Sequence, residues 1–269
     1  NDNTKGGGDI DESKLKWTER KEAPKWLNKM APTKGGTKLP TPKEAALIAV
    51  DADINEAENL PIVKFEERSE VINAILKALE SLDVAFVNEI IRREILANGV
   101  TVTWVEILAP TLIKVGEEWS RTGLGISSEH LLTEILTKIF REVSEEIENP
   151  INSKPIVLAS ASEELHCLAL HALAAALAEK KIESFFLGAR TPLEAIDAMV
   201  RRSAPPAIFL WAQLSQNSDA KFFREIPAIR PAPRVILGGP GWDLDLCTDV
   251  ILAQDLTHAC VEIEGALGL

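Results

Sequence analysis

The sequence predicts an α plus α/β chain: a four-helix bundle followed by a five-stranded parallel sheet in flavodoxin-like order. Three observations lead there. From Thr41 to Asn149 apolar residues recur at helical spacings of three and four. After Asn149-Pro150-Ile151-Asn152-Ser153 the period changes, and five apolar runs of strand length alternate with helical patterns. Such alternation buries a parallel sheet on both faces.

Residues 1–45 read as a flexible, mildly basic arm or linker. They hold Gly6-Gly7-Gly8, Gly35-Gly36 and four prolines, with ten Lys and Arg against seven Asp and Glu. Residues 46–149 form the predicted bundle. Thr41-Pro42 resembles an N-cap and N1 proline leading into Glu44 to Asp51. Glu66 to Leu79 puts Val71, Ile75 and Leu79 on one stripe. Asp83 is expected to cap a helix through Leu96 that stops at Asn98-Gly99. Thr101 opens a segment in which Trp104, Leu108, Leu112, Val115 and Trp119 recur, and Ser127 is the expected N-cap of the last helix.

Residues 154–269 form the predicted sheet domain. Its strands are expected at 156–160, 184–187, 207–211, 235–237 and 250–252, with helices at 165–180, 192–202 and 256–267. In such a sheet the ligand lies beyond the carboxyl ends of the strands. His166, on the loop leaving the first strand, and Gly238-Gly239, after the fourth, both fall there. Glu164, two residues before His166, can fix the imidazole tautomer and leave the other ring nitrogen free for a metal. No neighbouring His, Cys or carboxylate completes a zinc shell, so a metal held by His166 is expected to arrive inside an organic cofactor. His171 is expected on the surface. The glycine pair allows close backbone approach but is neither a GxGxxG fingerprint nor a P-loop.

A net charge of −12 argues against a broad polyanion-binding surface. Cys167, Cys247 and Cys260 are too few and too scattered for a disulfide framework. No apolar run is expected to approach the length needed to cross a bilayer, and a cytoplasmic location is expected. No Ser/His/Asp order or paired-carboxylate motif stands out, so the chain is not expected to be an enzyme. Trp119 lies on a core stripe, and Glu129-His130 begin a helix where a carboxylate favours the dipole; packing and capping explain them adequately by spacing alone.

Together these residues resemble the cobalamin-binding sensor module of light-responsive MerR-type regulators, the CarH and LitR family. Three motifs carry the resemblance: Trp119, nine residues, then Glu129-His130; the E-x-H loop Glu164-x-His166; and Gly238-Gly239. It covers roughly residues 45–269 and implies a bundle followed by a Rossmann-like cobalamin domain. It implies adenosylcobalamin as cofactor, with His166 as lower axial ligand of cobalt and Glu164 orienting it. Cys167 and Ala169 would lie along the same loop, Ala212 and Leu214 in the S-x-L position, and Gly238 and Gly239 along the groove for the nucleotide tail. Trp119, Glu129 and His130 would cap the upper face. Ala169 stands where the E-x-H loop usually reaches Gly, and Ala212 where S-x-L has Ser; both touch the tail channel. Ser120 stands where some of these sensors carry a second histidine, so a bis-histidine light state is not expected.

The resemblance further implies a homo-oligomer, dimer or tetramer, that light takes apart, and operator DNA bound only through a winged-helix domain not seen in this sequence. Two alternatives stay open: a corrinoid carrier for a methyltransferase, whose upper face must remain open to partner enzymes, and a degenerate domain used for protein contacts.

Overall fold

The computed structural model describes residues 68–122, 125–227, 229–247 and 250–269. The predicted arm and the helix expected at 44–51 lie outside the described residues, and all those described fall in one compact unit.

The helical part is built from α1 (Ser69–Glu80), α2 (Val84–Thr103), a π-helical turn (Trp104–Leu108), α3 (Ala109–Thr122) and α4 (Ile126–Glu145). Asp83 caps α2 as expected, its carboxylate accepting from the Phe86 amide at 3.0 Å. Gly99 interrupts α2 with φ 79° and ψ 165°, so the helix restarts at Val100. The π turn precedes Pro110, whose missing N–H and bulky ring disturb an α-helical ladder. Thr111 Oγ1 donates to the Ile107 carbonyl at 2.6 Å there.

One expectation fails along this stretch. Val84–Glu118 contains an 18-residue window of mean hydropathy 1.4, long and apolar enough by length and composition to cross a membrane. Gly99 breaks that run, and Val87, Ile91, Ile95, Val100, Ile107 and Leu108 are buried in the bundle core. Ser127 is also not the cap of α4: Gly125, at φ 102°, holds the N-cap position, and its carbonyl accepts from the Glu129 amide at 2.9 Å.

The second part is a five-stranded parallel sheet: β1 (Ile156–Ser160), β2 (Ser184–Gly188), β3 (Ala207–Trp211), β4 (Arg234–Gly238) and β5 (Ile251–Ala253), in the order β2-β1-β3-β4-β5. Helices α5 (Leu168–Glu179), α6 (Leu193–Ser203), the short α7 (Ala220–Arg224) and α8 (Leu256–Leu267) connect or follow the strands. Strand alternation sorts the core. Ile156, Leu158, Ala207 and Phe209 join the cluster with α5, α8 and the bundle, whereas Val157, Ala159, Ile208 and Leu210 pack against α6 and α7. A single apolar cluster therefore runs from the bundle onto one face of the sheet, with α4 packed along α5.

A carboxylate also crosses that junction. Glu179, at the end of α5, accepts from the Val100 amide through both oxygens, at 3.0 and 2.9 Å, and so caps the restarted helix from another element. Glu179→Ala is expected to lower stability by about 1 kcal/mol, the usual cost of a lost cap, read as a shift in the urea midpoint.

Candidate functional site

The site lies where the strand order reverses, between β1 and β3, at the carboxyl ends of the strands. The loop from Ala161 to Cys167 leaves β1 here. Its turn closes with the Glu164 amide donating to the Ala161 carbonyl at 2.9 Å, while the Ala161 amide donates to the Trp211 carbonyl at 2.8 Å.

Glu164 is the anchor of this loop. It is 0% exposed. Its Oε1 accepts from the His166 amide at 2.8 Å and sits 2.5 Å from His166 Nδ1. Its Oε2 accepts from the amides of Gln213 and Leu214 at 2.9 and 3.0 Å and from Asn217 Nδ2 at 3.2 Å. Burial pushes this carboxyl upward, yet bonds from the His166 side chain and amide, the Leu214 amide and Asn217 outweigh it and hold the pKa at about 2. The carbonyl of Glu164 also accepts from the Arg190 amide at 2.8 Å. One residue thus joins the loops that follow β1, β2 and β3.

His166 is held by one ring nitrogen and free at the other. Its side chain is 51% exposed. The bond to Glu164 raises its pKa; burial opposes that, and the charges of Glu164 and Glu129 add to it. With Nδ1 bound to a carboxylate, Nε2 is the nitrogen presented outward, the arrangement of a metal-ligating imidazole. Cys167 follows at the N-cap of α5, half-buried, and burial pushes its thiol pKa up, so it stays protonated and a poor ligand. Ala169 is half-buried in the first turn of α5. Among the described residues no cluster of three or more His, Cys, Asp or Glu forms a metal cage.

Across the crevice, Ala212 is fully buried and Leu214 half-buried. The loop after β4 lies directly on this segment: the Gly241 amide donates to the Ala212 carbonyl at 2.9 Å, and Ser218 Oγ to the Gly241 carbonyl. Gly239 has φ 96°, and a Cβ there would stand 2.3 Å from the Ala212 carbonyl oxygen, so only glycine fits. A Cβ on Gly238 would stand 2.2 Å from Phe209 Cζ, and one on Gly239 also 3.2 Å from Trp211 Cδ2.

On the bundle side, Glu129 lies close enough for its charge to act on His166. His130 is 75% exposed, with Nδ1 3.6 Å from Glu129 Oε2. Trp119 is helical, and its side chain is outside the described residues. The structure therefore brings together Glu164, His166, the Ala212 to Leu214 segment and the glycine pair, with Glu129 nearby.

Sequence reasoning missed Asn217 and the Gln213 and Leu214 amides, because no local spacing links them to Glu164 some fifty residues earlier. It also misplaced His171, which is 5% exposed and stacked on Phe186 with centroids 4.2 Å apart. His171 lines a cavity of about 510 Å³ with Arg141, Ser144, Glu145, Glu183 and Phe186.

Residues 71–143, all in the helical part, match a family described as "B12 binding domain". No curated protein matches the chain. Among solved structures, the monomethylamine corrinoid protein of Methanosarcina barkeri is similar at TM-score 0.54 and 14% identity, over 74% of this chain and 99% of that one. A cobalamin-binding protein from Desulfitobacterium hafniense DCB-2 matches at TM-score 0.39 and 20% identity, over 73% and 98%. The methanol:cobalamin methyltransferase complex of M. barkeri matches at TM-score 0.39 and 16% identity, over 92% and 94%. The family match over the bundle, with the parallel sheet behind it, supports a cobalamin-binding module.

Proposed function

We propose that this chain binds an adenosylated corrinoid, adenosylcobalamin in the reading the resemblance favours, through His166, and reports the state of that cofactor through its helical bundle. The observation that carries the reading is the imidazole itself: a buried, ionised Glu164 holds Nδ1 and leaves Nε2 outward at the sheet's switch point. Bound there, the group would supply a light-labile cobalt–carbon bond.

The chain's own residues do the rest. Glu164 fixes the tautomer and orientation of His166, and its bonds to the loop after β3 keep that loop from drifting. Glu129 stands at the start of α4, and α4 packs along α5, whose N-cap is Cys167, the residue after His166. A change at the ligand is thus passed into the bundle along a continuous apolar cluster. In this reading the chain acts as a sensor rather than an enzyme, self-associates as a dimer or tetramer in the dark, and reaches operator DNA only through a winged-helix module. The second reading, a methyl-corrinoid carrier, is supported by the shared fold of the M. barkeri corrinoid protein.

Incubation with adenosylcobalamin in the dark, followed by visible spectra and gel filtration before and after green light, tests both. Histidine ligation changes the spectrum, and a light-dependent change of elution volume supports the sensor. Preference for methylcobalamin without a change of size supports the carrier. His166→Ala is expected to abolish the spectral change, and a variant that still gives the wild-type change refutes the axial assignment.

A further inference from the structure

We infer that the corrinoid this chain prefers lacks a bulky nucleotide tail, a cobinamide-class ligand, because the chain's own aromatic side chains fill the groove where such a tail would be stored. The inference rests on the reading of His166 as the cobalt ligand and deepens it.

A tail descending from a corrin bound at His166 has one natural channel, the crevice between the carboxyl ends of β1, β3 and β4. In the resemblance, Gly238 and Gly239 owe their small size to that tail. Here they owe it to the protein. Phe209, 4% exposed, lies so close to Gly238 that a Cβ would stand 2.2 Å from its Cζ, and the Trp211 ring covers Gly239. Both rings project to the same face of β3, the face packed by α5 and α8. The crevice is also closed from above, since Glu164 ties the loop after β1 to the loop after β3, and Gly241 lies on Ala212 and Leu214.

Two buried polar atoms mark the mouth of this filled groove. Ser160 Oγ ends β1, Trp211 Nε1 ends β3, the two residues are register partners, and neither atom has a hydrogen-bond partner. Unsatisfied buried donors are costly, so a short polar arm that reached them would be favoured. The hydroxyl-bearing aminopropanol stub of a cobinamide is such an arm. Trp211 is only half-buried and can yield to it, whereas a nucleotide also requires displacement of Phe209 from the core. Intact cobalamin would thus meet Phe209 and Trp211 in the space its tail would fill.

Equilibrium titration of the full chain with aquocobinamide and with aquocobalamin, read by absorbance and retention on gel filtration, tests this. The expected result is binding of both, with cobinamide at least about tenfold tighter, a clear gap on the affinity scale. Equal affinity, or tighter cobalamin, overturns the inference and leaves the His166 reading intact; no binding of either overturns both. Phe209→Leu, checked for folding by thermal melting, separates groove filling from the intrinsic cost of releasing the base, because it shortens the ring that blocks the tail and leaves Ser160 and Trp211 in place. It is expected to strengthen cobalamin binding and leave cobinamide affinity within about twofold. A gap unchanged by Phe209→Leu, or by Phe209→Met where the leucine variant does not fold, overturns the inference.

Discussion

Glu164→Gln is expected to destabilise the protein by about 3 kcal/mol or more, in the range found when one partner of a buried charged network is removed. The carboxylate has no solvent to fall back on, and it accepts from three amides, one side-chain amide and one imidazole. Glutamine presents an NH₂ where one oxygen stood, and a donor then faces the donors of Gln213 and Leu214, or of His166. Each buried donor left unpaired costs about 1–3 kcal/mol, so two such losses account for the size of the effect. The pH dependence has a definite sign. Because the folded pKa is lowered from 4.5 to about 2, the stabilisation is fully present above pH 4.5 and is lost as pH falls toward 2. The difference in urea midpoint between wild type and variant should therefore shrink across that acidic window. A difference that stays constant down to pH 2 would assign the effect to packing, not charge.

This network also shows how far a linear sequence can be read. The pairing of Glu164 with His166 was legible because the two residues share one loop, and tautomer control by a neighbouring carboxylate is a local matter. The other half of the network was not, because Leu214 and Asn217 reach Glu164 only after β1 and β3 pair in parallel. The glycine pair is a related case. Two glycines after a strand announce close approach, but not of what; the approaching group here is Phe209 on the neighbouring strand and the Ala212 carbonyl.

The sheet order and element positions were legible for a simple reason. Five short apolar runs separated by helical patterns admit few topologies once crossovers must be right-handed, and the observed order is the flavodoxin-like one. Local exceptions came from backbone conformations that side-chain identity does not report. Gly125, left-handed at φ 102°, starts α4, so the hydroxyl of Ser127 is not needed as a cap. Helix α5 stands where the sequence places a helix, but its surroundings differ from those expected for His171. Its run LALHALAAALAE is apolar nearly all round, the mark of a helix covered on every side, and it lies between the bundle and the sheet with Leu170 through Leu177 all buried. A polar residue in a helix suggests a solvent face, which this helix does not have, so His171 is buried rather than exposed.

The second large effect follows from that burial. Desolvation, assisted by the charge of Arg141, pushes the His171 pKa down to about 4, so the folded protein keeps a neutral imidazole stacked on Phe186. An unfolded chain titrates that histidine near its ordinary 6.5. Between these values the unfolded state binds a proton that the folded state refuses, so stability falls as pH drops from 6.5 toward 4 and this contribution is flat on either side. At about 1.4 kcal/mol per unit, the window amounts to roughly 3 kcal/mol at most. Arg141 and Glu145 from α4, and Glu183 beside β2, line the same cavity, so the measurement must isolate His171 from them. His171→Gln does so, because it keeps a polar group in the cavity and removes the titration. The wild-type protein is expected to lose stability relative to His171→Gln as pH falls from 6.5 to 4, while the two curves run parallel above that range. Parallel curves throughout would mean that the imidazole takes up its proton in the folded state, with the cavity admitting enough water to solvate the charge.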